Sequence, residues 1–269
     1  MTEVKGKVVL ITGGALGMGR EVARLFARDG ARIVLWDLRQ EELNKTAGEL
    51  KDLGAEVHTY ICDVTNRQMV YETADKVKKE VGVVDVLDNN AGVVFGGEFL
   101  EVSDDKLFKT IDVNLNGIMW CTKAFLPDMV ERNEGHLVNM ASAAGHLGVP
   151  GLSAYCASKH AVIGFSDTLR LELKKKGVRG IRFTVVCPSF VTTGMFAGVK
   201  PPLLTPFLST EGMARKIYQA VRKNKLWVRE PFMVKTVPFL KGITYTPIMD
   251  WIGSLLGMHQ SMEHWKGRT

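Results

Sequence analysis

A chain of 269 residues with 46% hydrophobic and 24% charged residues is long enough to bury a substantial core as one large domain or two small ones, and its composition is that of a soluble globular protein. The formal charge of +6 is compatible with an anionic partner, but no aromatic or groove-reading motif accompanies it, so nucleic-acid binding is not expected. Cys62, Cys121, Cys156 and Cys187 are scattered and form no CxxC pair, which speaks against a zinc site or a disulfide framework and for a reducing, cytoplasmic setting.

"MTEVKGKVVLITGG" enters a strand pattern at once, so no targeting segment is expected. A first strand over 7–12 is followed by "TGGALGMGR", where Gly13, Gly17 and Gly19 lead into a helix over 17–29. Glycines there allow a tight turn and let a pyrophosphate approach the amides at the helix amino terminus. The second strand, 31–36, ends at Asp37, eighteen positions beyond Gly19, close to the separation expected of a carboxylate that accepts from the adenosine ribose. A helix over 40–53 and a strand over 56–62 lead to Asp63, which is either part of the same rim or a turn residue. A helix over 66–81 precedes a strand over 83–90 that ends in "NNAG", Asn89 to Gly92.

One long helix is expected over 104–131, then a strand over 135–142 that closes on Ser142. The helix over 154–176 opens with Tyr155 and Lys159, four residues apart and therefore on one face. A phenol beside an ammonium is a candidate acid/base pair, because the positive charge favours the phenolate; a surface tyrosine packed on a lysine stem is the alternative. A strand over 180–188, a loop with a short helix, a helix over 209–223 and a strand in "KLWVRE" follow, and residues 231–269 are apolar, aromatic and poorly periodic. Strands without clean alternation, separated by amphipathic helices, predict an α/β fold: a single-domain, Rossmann-type, doubly wound parallel sheet of about seven strands with helices on both faces, spanning residues 1–269.

In order and spacing, "TGGALGMG", "NNAG", Asn114 in "DVNLNG", Ser142 in "MASAAG" and "YCASK" resemble the short-chain dehydrogenase/reductase family, over nearly the whole chain to about residue 230. The resemblance implies a catalytic tetrad of Asn114, Ser142, Tyr155 and Lys159. Tyr155 would exchange the hydroxyl proton while hydride moves to or from a nicotinamide, Lys159 would lower the phenol's pKa and hold the nicotinamide ribose, Ser142 would meet the substrate oxygen, and Asn114 would fix a water. It also implies cofactor contacts from Thr12, Gly13, Gly17, Met18, Gly19, Asp37, Asp63, Val64, Asn90, Ala91, Gly92, Pro188, Val191 and Thr193, besides Tyr155 and Lys159. Ser189 stands where the family usually has glycine.

"CPSFVTTGM", "LWD" and "AFLPDM" resemble the branch that holds retinol dehydrogenases and lipid-droplet hydroxysteroid dehydrogenases. This implies interconversion of a lipophilic alcohol and its carbonyl compound and a homodimer or homotetramer; Asp37, whose carboxylate would repel a 2′-phosphate, points to NAD, with NADP as second choice because Arg39 follows it. A 3-oxoacyl thioester reductase and a catalytically silent dinucleotide-binding scaffold are the alternatives. Relatives in that branch typically carry an amino-terminal apolar anchor, which is not read in this sequence. No metal is expected, since His259, Glu263 and His264 miss the zinc-helix spacing. The loop over 191–208 and the segment over 231–269 either pack on the protein itself or a neighbouring subunit, or wall an apolar substrate pocket with a rim that touches a membrane or lipid surface.

Overall fold

Val8–Thr12 (β1) is buried along its whole length, with Val9 and Ile11 in one apolar layer and Val8 and Leu10 in the other. That division follows from the twofold alternation of side chains along a strand, and it requires cover on both faces. A computed structural model of the chain describes residues 3–267 and supplies the cover. Seven parallel strands form one sheet in the order β3-β2-β1-β4-β5-β6-β7. The others are Arg32–Asp37 (β2), Val57–Ile61 (β3), Val86–Asn89 (β4), Gly135–Met140 (β5), Ile181–Pro188 (β6) and Trp227–Glu230 (β7).

On one face lie Gly17–Arg28 (α1), Gln40–Asp52 (α2) and Thr210–Arg222 (α7), which bring Phe26, Leu43 and Ile217 against Val9 and Ile11. On the other lie Arg67–Glu80 (α3), Asp104–Ile111 (α4), Gly117–Arg132 (α5) and Ser153–Lys175 (α6), where Phe125, Met129 and Leu173 meet Leu10, Trp36 and Leu137. The strand order reverses direction between β1 and β4, so a crevice opens beyond the carboxyl ends of these two strands.

Three features depart from the sequence reading. The helix expected over 104–131 is interrupted by a π-helical turn at Asp112–Asn116, which joins α4 to α5. Such a turn holds one extra residue, and here it carries the buried Asn114. The short helix expected after Pro188 is a series of turns. Residues 231–266, read as poorly periodic, contain two helices, Phe232–Ile243 (α8) and Thr246–Leu255 (α9), with Pro247 in the first turn of α9, where proline is tolerated.

Candidate active site

The glycine turn and the "NNAG" turn are tied to each other before any ligand is considered. The Asn90 Nδ2 donates to the carbonyls of Thr12 (2.9 Å) and Gly13 (3.1 Å), and the Ala91 amide donates to the Thr12 hydroxyl at 3.1 Å. Gly13 adopts φ 63°, and a Cβ on Gly19 would lie 2.6 Å from the Asn90 Nδ2, so side chains at these positions would spread the two turns apart. The result is an open cleft, with Gly13, Gly17 and Met18 at one end and Gly92, Tyr155 and Lys159 at the other. Pro188, Val191, Thr193, Asn90 and Ala91 line it as well.

Asp37, Asp63 and Val64 do not line this cleft. The Asp37 carboxylate accepts from the amides of Ala15 (3.2 Å) and Leu38 (2.8 Å) and pairs with the Arg39 Nε at 3.3 Å, and it is Arg39 that faces the cleft. Asp63 accepts from the amide (2.9 Å) and hydroxyl (2.8 Å) of Thr65, the local turn that its position also allowed. Val64 is buried among the apolar residues beneath α5. Leu16, Val93, Met140, Ala141, Met195 and Phe196 also line the cleft and were not singled out in the sequence. Met140 and Ala141 directly precede Ser142 at the end of β5, so the rule that ligands bind at carboxyl strand ends would have found them.

Around Tyr155 the tetrad residues converge. The Lys159 Nζ donates to the Met140 carbonyl at 2.7 Å and stands 5.6 Å from the Tyr155 ring centre. Asn114 donates to the Val93 carbonyl and accepts from the Val93 amide, both at 2.9 Å, and donates to the Ser158 hydroxyl at 3.2 Å. Its carboxamide therefore clamps the loop that follows "NNAG". The Ser142 hydroxyl accepts from the Ala144 amide at 3.2 Å and donates to the Pro188 carbonyl at 3.4 Å. Burial pushes the Tyr155 phenol up to about 12, with the Ser142 hydroxyl opposing, and burial lowers the Lys159 ammonium to about 8. The depression of the phenol expected from Lys159 is not among the causes here: its ammonium is turned to the Met140 carbonyl, and desolvation sets the direction of the shift.

On the opposite side of Tyr155 a second, almost wholly apolar pocket opens. Ser142 and Tyr155 form its polar end, Phe190 and Phe196 one wall, and Met233, Val234 and Val237 of α8 with Met258 another. The carboxyl-terminal segment thus walls the pocket, and α8 and α9 turn further apolar side chains to solvent.

A family model described as short chain dehydrogenase matches residues 7–203. The chain belongs to this family. Epidermal retinol dehydrogenase 2 of Mus musculus is 44% identical to it, over 98% of this chain and 87% of the relative. Estradiol 17-beta-dehydrogenase 11 of Homo sapiens is 42% identical, over 88% of this chain and 78% of the relative. Among solved structures, a short chain dehydrogenase/reductase from Burkholderia phymatum in complex with NAD matches with a TM-score of 0.82 and 31% identity, covering 90% of this chain and 95% of that one. An alcohol dehydrogenase from the archaeon Thermococcus sibiricus, complexed with 5-hydroxy-NADP, matches at 0.73 with 29% identity, over 82% and 93%. This short-chain dehydrogenase is accordingly an NAD(P)-dependent oxidoreductase of CH–OH groups. Its own residues fit a dinucleotide, since the glycine turn leaves room at the amino terminus of α1 that a Cβ would fill and the cleft continues to Tyr155 and Lys159.

Proposed function

We propose that the protein interconverts a lipophilic alcohol, of long-chain, retinoid or steroid type, and its carbonyl compound, with NAD(H) preferred and Tyr155 carrying the proton. The observation that supports this most directly is that Tyr155 lines both the dinucleotide cleft and the apolar pocket. A bound nicotinamide supplies the hydride donor or acceptor. A substrate oxygen between Ser142 and Tyr155 accepts a hydrogen bond from the one and exchanges a proton with the other. Lys159, buried and held on the Met140 carbonyl, keeps a cation beside the site while it is protonated, which favours negative charge on the phenol as it forms. Arg39, which lines the cleft beside the glycine turn, is already paired with Asp37, which favours NAD over a cofactor bearing a 2′-phosphate.

Turnover of a ladder of primary alcohols with NAD and with NADP tests this. Each buried methylene contributes up to about 0.8 kcal/mol, so a ten-carbon alcohol should exceed a four-carbon one in kcat/KM by at least about tenfold, and NAD should exceed NADP. Equal efficiency on the two alcohols removes the lipophilic pocket, NADP preference removes the cofactor choice, and better turnover of a 3-oxoacyl thioester replaces the substrate class.

The same reading extends to a lipid surface. Phe232 (70% exposed), Phe239 (68%), Trp251 (62%) and Leu255 (65%) project from α8 and α9, with Lys235 and Lys241 on α8. Among the described residues no helix is long and apolar enough to cross a membrane, so such contact is peripheral. The protein should sediment with anionic vesicles at low salt and be released as salt rises, and Phe239→Ser with Trp251→Ser should abolish the binding. Full-length protein that stays in the supernatant at low salt overturns the lipid contact.

A further inference from the structure

We propose that Trp265 is a positioning residue, whose indole fastens the carboxyl-terminal strap across the substrate loop and so shapes the site before substrate arrives. The loop over 191–208 has little regular structure of its own, yet it supplies both cavities: Met195 and Phe196 line the dinucleotide cleft, and Phe196, Pro202 and Thr205 line the apolar pocket. Phe196 also meets the Tyr155 ring edge-on, with centres 6.1 Å apart. A loop that touches the proton carrier must be held by something, and besides the bonds at its base around Thr192 and Leu208, four bonds tie it to the strap at 256–266.

Three of these bonds are backbone to backbone: Leu203 N to Leu256 O (2.8 Å), Lys200 N to Ser261 O (3.2 Å) and Lys266 N to Ala197 O (2.9 Å). The fourth is made by a side chain, the Trp265 Nε1, which donates to the Met195 carbonyl at 3.1 Å. Met195 is the loop residue next to Phe196 and lines the nicotinamide end of the cleft.

The indole is itself seated on the opposite wall. A Cβ on Gly96 would stand 2.9 Å from the Trp265 Cε3, so the ring lies flush against a residue that has no side chain. The neighbouring Gly97 amide donates to the Gly151 carbonyl at 3.0 Å, which ties this wall to the turn that begins α6. Met262, one turn before Trp265, is buried in the same apolar cluster as Tyr155, Phe196 and Leu152. Trp265 therefore bridges the loop after β4 and the substrate loop, the two walls between which substrate and nicotinamide meet. An ordered loop spares the substrate the entropic cost of ordering it, so losing the bridge should weaken binding more than it slows the reaction.

Trp265→Ala, Trp265→Phe and Gly96→Ala test the assignment in the full chain, with chymotryptic cleavage inside 195–208, kcat and KM for a ten-carbon alcohol, and the unfolding temperature as readouts. Trp265→Ala should raise KM about tenfold with kcat within about threefold, and should speed loop cleavage about tenfold while the unfolding temperature moves by no more than about 3 °C. Gly96→Ala, which keeps Trp265 but displaces its ring, should reproduce these changes, and Trp265→Phe, which keeps the packing and loses the donor, should fall between. Wild-type KM and cleavage in Trp265→Ala overturn the proposal, as does a fall in unfolding temperature of about 10 °C with kcat and KM changed together, because that is global destabilisation. The kinetic arm rests on the proposed alcohol chemistry and the cleavage arm does not. Absence of turnover in the unmodified protein therefore counts against the substrate, while cleavage still decides the role of Trp265.

Discussion

Tyr155→Phe should lower kcat for alcohol oxidation by at least about a hundredfold while dinucleotide affinity stays within about twofold, the size of effect typical of a lost general acid/base. The substitution removes one hydroxyl from a ring that keeps its packing among Leu152, Cys156 and Phe196, so folding and the cleft survive. Retention of more than a tenth of the activity would correspond to a loss below about 1.4 kcal/mol, too small for an essential proton carrier. The pH profile gives a second readout. With the phenol pushed up to about 12 by burial, only a small fraction is ionised near neutrality. Oxidation needs the ionised form, so its rate should climb from pH 6 to pH 8 in the unmodified protein. Carbonyl reduction uses the protonated phenol and should not climb. In Tyr155→Phe the residual oxidation should lose this slope, and an unchanged slope would assign the titrating group elsewhere.

The parts of this architecture that were legible in the sequence are those where backbone geometry demands a particular residue. Gly13 needs its positive φ and Gly19 its missing side chain, and Asn90 supplies the donors that lock the two turns, so "TGG" and "NNAG" announce a cleft wherever a strand precedes them. The strands were legible because β1, β2 and β4 to β6 are almost wholly buried on both faces and rich in valine, leucine and isoleucine. The π-helical turn at Asp112–Asn116 was not, since one inserted residue shifts the hydrogen bonds without disturbing the apolar pattern around it. The helices α8 and α9 escaped for a different reason. A helix is read from the contrast between its faces, and here Met233, Val234 and Val237 wall the pocket while Phe232 and Phe239 on the same helix face solvent, so both faces are apolar and the period disappears. Asp37 shows the opposite limit: its place at the end of β2 was legible, but its engagement by Ala15, Leu38 and Arg39 depends on contacts that spacing does not encode.

Asp88→Val should stabilise the protein, and by more at neutral than at acid pH. Asp88 lies in β4 in register with Ile11 on one side and Val138 on the other, and Val86, two residues earlier on the same face, shares the apolar core of both. The side chain is 1% exposed, and among the described residues neither carboxylate oxygen has a hydrogen-bond partner. Burial alone raises its pKa from 3.8 to about 7. The sign follows from proton counting. Between pH 4 and pH 7 the folded chain holds a proton that the unfolded chain has released, so stability falls as pH rises through that window and levels off above it. A carboxyl that titrates near 7 folded and at 3.8 unfolded costs about 4 kcal/mol at pH 7.5, against less than half of that at pH 5. Denaturant unfolding should therefore show a gain from Asp88→Val that is about 2 kcal/mol larger at pH 7.5 than at pH 5, with an unfolding temperature raised by about 10 °C at the higher pH. Asp88→Asn, which cannot ionise but leaves a polar group in the core, should remove the pH dependence and recover less stability. Since Asp88 does not line the cleft, neither change should alter dinucleotide affinity, even though Asn90, two residues on, holds the glycine turn. A gain independent of pH, or a loss of stability in Asp88→Val, would mean that the carboxylate has an ionic or hydrogen-bonded partner in solution and is not an uncompensated charge in the core.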